Sequence, residues 1–300
     1  MNKLFIIGNG FDIAHDLPTA YNPHFKEIAE RTEPTSYFWD IYQSREVDIW
    51  ADFENCLAHP DFNSLEEIFD GYAPDYLSDY ESDRDAIITQ VDLNGKLLEA
   101  LYIFADRAEC EISNILPLPK YKNCFSQNDL FVTCNYTHTL EKIYEISPCN
   151  VFHIHGEVGK NNLILGYPEG SYEAEKYYYD VRQKGRGPYR AVDIEEHIED
   201  MLKEELMDYY TYTAYASLIG KTKSFCKLPQ TKKLKAFLKD VSADEVVVMG
   251  HSCAIDFSYF EYINHRFPSA KWVFNPFDEN TKLNVEEMIK LLRIKFYKIQ

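Results

Sequence analysis

The chain has 300 residues, enough for one large domain or two small ones, and 45% of them are hydrophobic, with 23 Tyr and 19 Phe to fill a core. The 49 acidic residues against 31 basic ones give a formal net charge of -18, which repels polyanions and excludes broad contact with nucleic acid or an anionic membrane. A small phosphorylated ligand, held locally by backbone amides at a helix start, is compatible with that charge.

The first apolar run, Leu4–Ile7, is too short for the core of a signal peptide, and it breaks into glycines rather than a cleavage site. It reads as a buried strand. Similar runs at Leu130–Thr133, Val151–Ile154 and Val246–Met249 end at glycine or polar residues, as parallel strands covered on both faces do. Trp272–Phe274 is a fifth candidate, and Ile294–Lys298 is either a sixth strand or the end of the last helix. Between the first two strands, residues 37–58, 63–70 and 84–114 have helical spacing, with breaks at Gly71–Pro74 and Asn94–Gly95. A crossover of that length exceeds an ordinary βα connection.

These elements predict a single α/β domain over 1–300 with a Rossmann-like parallel sheet. Its core would come from 1–30, 125–168 and 241–300, with a helical insertion at 31–124 and a second insertion at 169–240. The second insertion is rich in tyrosine (Tyr177, Tyr178, Tyr179), with a loop at Gly185-Arg186-Gly187-Pro188 and acidic helices near 193–210. The chain's seven cysteines are odd in number and irregularly spaced, without a CxxC pair, which argues against a disulfide framework or a Cys-rich zinc module. With no apolar stretch near ~18 residues, the expectation is a soluble, cytoplasmic protein with reduced thiols.

Four motifs carry candidate chemistry, each at a strand end. Gly8-Asn9-Gly10-Phe11-Asp12 follows the first strand, where glycines let the backbone approach a phosphate. As a GxGxxG it is incomplete, because Ile13 holds the third glycine position. Asp12 suits a ribose hydroxyl or, equally, a helix N-cap. Asn135, after the strand ending at Thr133, can orient a ribose, a carboxamide or an attacking water, or can be a turn asparagine.

In His153-Ile154-His155-Gly156, two histidines at strand spacing face one way. No third ligand is apparent by spacing, so no metal is expected. His155, at the strand end, is the better placed general base, and His153 reads as a hydrogen-bonded support. Finally, Gly250-His251-Ser252, followed by Asp256, offers a second turn for phosphate. Its rival reading is a GxSxG-like nucleophile elbow at Ser252, but only His265 and then Asp278 follow the serine, the wrong order for that elbow.

Taken together, GNGFDIAHDLPTAY at 8–21, Trp50-Ala51-Asp52-Phe53-Glu54, NYTHTLEKIY at 135–144, HIHG at 153–156, Leu165-Gly166-Tyr167 and GHSCAID at 250–256 resemble the AbiH family of bacterial abortive-infection proteins. That family is in turn similar to sirtuin-like NAD-binding domains. The resemblance implies that Gly8, Asn9, Gly10, Phe11 and Asp12 line an NAD cleft and that Pro18 marks a cofactor loop. It implies that Asn135 positions ribose or water, that His155 is the catalytic base, and that Gly250 and Ser252 contact the phosphates, with His251 and Asp256 also binding the cofactor. Asn275 would touch the adenosine ribose. The four-cysteine zinc module of protein-deacylating sirtuins is missing after His155-Gly156, so the implied reaction is cleavage of NAD+ to nicotinamide, as in sirtuin-like NADases, and not peptide deacylation. Such an enzyme would be held in check until a phage-derived or host activator appears, with Trp50, Phe53 and Glu54 either gating it or packing an insertion helix. A homo-oligomer is compatible with this reading. The alternatives are a non-catalytic sensor of NAD or ADP-ribose, and a serine hydrolase using Ser252.

Overall fold

The computed structural model describes residues 2–32, 37–43, 48–65, 68–69, 96–174, 176–180 and 189–300. Two compact units emerge: Met1–Phe25, Leu101–Ile164 and Leu228–Gln300 form the first, and Lys26–Ala100 with Leu165–Lys227 form the second. The strands in chain order are β1 Lys3–Ile7, β2 Leu130–Thr133, β3 Val151–His153, β4 Tyr167–Pro168, β5 Tyr177–Asp180, β6 Tyr189–Val192, β7 Cys226–Lys227, β8 Glu245–Met249, β9 Lys271–Asn275 and β10 Tyr297–Ile299.

In the first unit six strands make one sheet in the order β10-β9-β8-β1-β2-β3, all neighbours parallel. Counted by position in the chain, that is the 3-2-1-4-5-6 winding of dinucleotide-binding sheets, whose ligand crevice opens where the order reverses, here between β1 and β8. The alternation of side chains along each strand divides its apolar run between two cores. Leu4 and Ile6 join Val132, Val246, Val248, Trp272 and Phe274 on one face. Phe5 and Ile7 join Phe131, Val247 and Val273 on the other. Each such side chain, fully buried, contributes ~1.5–3 kcal/mol, which is why the runs show no polar interruption.

The helix Glu279–Leu292 illustrates how sequence sets the covering layer. Asp278 caps it by accepting from the Thr281 amide, and Val285, Met288, Ile289 and Leu292 bury one stripe against the sheet. Arg293, at φ 52°, ends it in a left-handed turn. The chain then enters β10, so the ambiguous segment at 294–298 is neither all helix nor all strand: Ile294 is core, and the strand begins at Tyr297. β3 stops at His153 because its partner β2 ends at Thr133, the residue paired with it.

The expected insertion boundaries differ from those observed. Residues from Leu101 within the helix Leu97–Glu111 belong to the first unit, where Phe104 packs on Phe25 at 5.3 Å and Ile112 clusters with Leu17 and Ile143. Leu234 and Leu238, assigned by sequence to the second insertion, are buried in the sheet's core. What remains of the two excursions forms one compact unit rather than two separate insertions.

Within that second unit, Tyr177–Asp180 and Tyr189–Val192 make an antiparallel hairpin that tyrosine content alone did not reveal. Helices Ile194–Lys203 and Tyr209–Ser224 follow, capped by Asp193 and Asp208. The Trp50-to-Glu54 patch packs: Trp50 stacks on Phe53 at 4.8 Å and 6°, and Glu54 accepts from the buried Lys227 ammonium at 2.7 Å. The expected breaks at Gly71–Pro74 and Asn94–Gly95, the helical spacing over 84–95 and the Gly185–Pro188 loop lie outside the described residues. No helix among the described residues is long and apolar enough to cross a membrane.

Candidate active site

At the carboxyl ends of β1 and β8 two glycine turns interlock. The Gly8 amide donates to Met249 O at 2.9 Å, and the Gly10 amide donates to Gly250 O at 2.8 Å. A Cβ on Gly8 would lie 2.6 Å from Gly250 O, and one on Gly250, at φ +64°, would lie 2.3 Å from the Phe11 nitrogen. The sequence assigned these glycines to a phosphate. Their bareness is used instead by the opposing turn, and the Gly10 amide is already engaged.

Of the neighbouring residues, Phe11 and Pro18 face inward, while Asn9 is exposed. Phe11 is 1% exposed and packs among His15, Tyr121, Phe125 and Tyr144, so it belongs to the aromatic core and not to a cleft wall. Asn9 donates its Nδ2 to Thr19 O at 2.6 Å, tying the segment that carries the buried Pro18 back to the first turn. Asn9→Ala is expected to cost ~1 kcal/mol, the usual worth of such a bond, read as a lowered urea midpoint with unchanged slope.

Asp12 is fully buried, and the ribose grip expected of it has no open space to act in. Its Oδ2 accepts a short hydrogen bond from Thr137, whose hydroxyl also meets that of Thr139 at 3.0 Å. Its Oδ1 has no partner. Burial pushes the carboxyl up to about 6, against the lowering effect of the Thr137 bond and of the nearby Thr139 and Asn135 side chains. Asn135 is also buried, with an unpartnered Oδ1. Its backbone is held at both ends, the amide donating to Thr133 Oγ1 at 3.1 Å and the carbonyl accepting from His153 Nδ1 at 2.9 Å.

The two histidines of the HIHG segment diverge, contrary to the shared face expected, because the strand alternation ends at His153. His153 points its Nε2 at Glu141 Oε1, 2.9 Å away. His155 instead meets Asp256 Oδ2 at 3.1 Å. That single oxygen also faces His251 Nε2 at 3.4 Å and the Cys134 thiol at 3.7 Å. The Cys253 amide donates to His251 Nδ1 at 2.9 Å, which leaves the proton of the neutral ring on Nε2, directed at Asp256. Asp256 is a carboxylate served by donors from β2, β3 and β8 ends at once.

The loop presenting it is strained. Cys253 at φ 59° and Asp256 at φ 65° both occupy the left-handed region. Asp256 precedes the helix Phe257–Arg266 yet makes no capping bond to it, because its carboxylate is turned toward the histidines. Such strain concentrates where function demands a particular side-chain direction. Ser252 takes no part in this cluster: among the described residues its hydroxyl accepts from the Ala254 amide, at 3.5 Å. Asn275 leans its Nδ2 toward Val248 O at 3.5 Å, within the sheet's own end.

The sequence profile described as bacteriophage abortive infection AbiH matches residues 4–276. The chain belongs to the AbiH family. No curated protein matches, and neither does any solved structure. The AbiH match spans all four motif segments, and the fold brings three of them, through Cys134, His155, His251 and Asp256, to one buried point. Sequence reasoning missed Cys134, which the motif TCNY contains, and Thr137, which sits two residues past Asn135. The signal was present in both, but thiols and hydroxyls at turns carry little information until a partner is known.

A second polar cluster of this AbiH chain had no sequence signal at all. His138 Nδ1 lies 2.8 Å from Glu109 Oε1, its amide donates to Glu109 Oε2 at 2.9 Å, and its Nε2 faces Glu157 Oε2 at 3.1 Å. Bonds to Glu109 raise His138 to about 9, and those from His138 and Lys142 outweigh burial to hold Glu109 at about 2.

Proposed function

We propose that this AbiH protein is an NAD+ glycohydrolase of abortive infection, with His155 as general base and Asn135 holding ribose and water. The observation that carries the reading is the pair His155–Asp256, at 3.1 Å, on the carboxyl side of a doubly wound parallel sheet. Sheets of this winding take nucleotides at that edge. A carboxylate cannot donate, so the His155–Asp256 bond holds the neutral ring's proton on Nε2 and leaves Nδ1 as its basic atom. Asn135 supports the reading differently. A buried amide oxygen without a partner is costly unless something meets it in a working state.

In the proposed reaction a water adds to C1′ of the nicotinamide ribose, the C1′–N bond breaks, and nicotinamide leaves with the bonding pair. The water's proton passes to His155, giving ADP-ribose. The pyridinium is already a good leaving group, so the protein's work is positioning, exclusion of bulk water and proton removal. Asp256 then stabilises the imidazolium.

Purified protein incubated with NAD+ is expected to release nicotinamide, followed by chromatography, and to be stabilised by NAD+ in a melting experiment. Neither release nor stabilisation, in the presence of an infected-cell extract, would overturn the proposal. A fluorophosphonate probe is expected to leave Ser252 unlabelled, since among the described residues no histidine reaches its hydroxyl. Labelling there would return the serine hydrolase to first place.

A further inference from the structure

The geometry points to a divalent transition-metal site, suited to Zn2+, formed by His138, His153 and Glu157, with Glu141 flanking it at His153. It is separate from the His155–Asp256 pair and does not depend on the NAD+ reading. One nitrogen or oxygen from each of His138, His153 and Glu157 lies within 4.8 Å of the others. Ligands ~2.0–2.2 Å from a zinc ion stand within that separation.

Both histidines have the arrangement of metal ligands with their far side fixed. His138 turns Nδ1 to the Glu109 carboxylate at 2.8 Å, and His153 turns Nδ1 to the Asn135 carbonyl at 2.9 Å. Neither acceptor can donate, so each Nδ1 carries a proton. A ligating histidine commonly donates its other N–H to a carboxylate or carbonyl in this way. Both Nε2 atoms are thereby aimed inward, each at a carboxylate oxygen: His138 at Glu157 Oε2, 3.1 Å, and His153 at Glu141 Oε1, 2.9 Å. At His153 a neutral ring with its proton on Nδ1 sets the Nε2 lone pair against Glu141, which a cation resolves, and at His138 the ion would take the place of the Nε2 proton shared with Glu157.

An independent observation comes from Glu141. Its side chain is nine-tenths buried, its Oε1 meets His153 Nε2 at 2.9 Å, and its Oε2 has no hydrogen-bond partner among the described residues. A buried carboxylate oxygen left bare is a ligand atom awaiting a metal or a further donor. Two imidazoles and carboxylates select a borderline ion such as Zn2+ over Mg2+ or Ca2+, which take oxygen ligands. The competing cations are the ammonium groups of Lys142 on Glu109 and Lys160 on Glu157 Oε1, both on mostly exposed side chains that can swing into water.

The trio Cys134, His155 and Asp256 is also close enough to hold an ion. There, however, Asp256 Oδ2 already receives its donors, and no oxygen of that group is left bare among the buried atoms without partners. Spacing alone offered His153 and His155 without a third ligand. The fold supplies Glu157 from the turn after β3, with His138 and Glu141 from the segment after β2.

The test uses chelator-stripped full-length protein titrated with Zn2+ against a competing indicator, and with Co2+ read by its visible spectrum. One tight equivalent is expected, weakened at least 100-fold in Glu157→Gln, less so in Glu141→Gln, and retained in Cys134→Ser. Co2+ should give d–d bands without a thiolate charge-transfer band. Absence of a tight equivalent, or its loss in Cys134→Ser alone, would overturn the site. Should His138→Ala fail to fold by circular dichroism, the partly exposed Glu157 position still decides.

Discussion

His155→Ala is expected to lower nicotinamide release by ~10²–10⁴-fold, the usual contribution of a general base, while the protein still melts cooperatively. The ring's Nε2 is bonded to Asp256, and Ile164 is held by the His155 backbone carbonyl, not by the ring, so removing imidazole leaves the local chain path intact. Asp256→Asn should also lower the rate, for a different reason. An amide can donate to Nε2, which would shift the neutral ring's proton to Nδ1 and remove the basic atom. The two effects should be far from additive, because both substitutions disable one unit. Kinetics of the two single variants and the double variant check this. A double variant slower than wild type by the product of the two single factors would mean that the two residues act separately.

Asp12→Asn is expected to stabilise the fold above about pH 7 and to leave it unchanged near pH 4. The sign follows from the raised carboxyl. An unfolded aspartate titrates at 3.8, while the buried one titrates at about 6. Below the lower value both states are protonated and nothing is lost. As pH rises toward 6 the unfolded chain sheds its proton first, and native stability falls. Above 6 the full penalty applies, ~3 kcal/mol for that displacement. An asparagine keeps an oxygen for the Thr137 hydroxyl and carries no charge to desolvate. Urea midpoints measured across that pH range, wild type against variant, read the difference directly. A variant less stable than wild type at about pH 8 would show that the ionised carboxylate is better solvated than its burial implies. The expected gain marks Asp12 as a position where stability has been surrendered, as occurs where a charged group serves function.

The site's two halves were legible to different degrees. Strand ends were visible from apolar runs broken by glycine, and since parallel sheets bind ligands at that edge, Asn135, His155 and the 250–256 turn could be named as neighbours-to-be. What each one touches was not legible. Residue spacing said that His153 and His155 share a face, yet β3 ends at its partner's last residue, and the two rings turn to Glu141 and Asp256. Gly8 and Gly250 are 242 positions apart, and nothing local indicates that each makes room for the other.

From the sequence alone came the sheet's strands, its parallel character, the acid surface and the family resemblance, because strand burial and turn chemistry are written in short contiguous stretches. The tertiary structure decided the winding order, the division into two units, and every long-range polar partnership. Those depend on which chain ends the hydrophobic cores bring together, and side chains as distant as Cys134 and Asp256 acquire a joint chemistry only once β2 and β8 are fixed on either side of β1. Asp12, a ribose-binding acid by position, became a buried carboxyl with a raised titration for the same reason: burial is a property of the fold, and no local spacing records it.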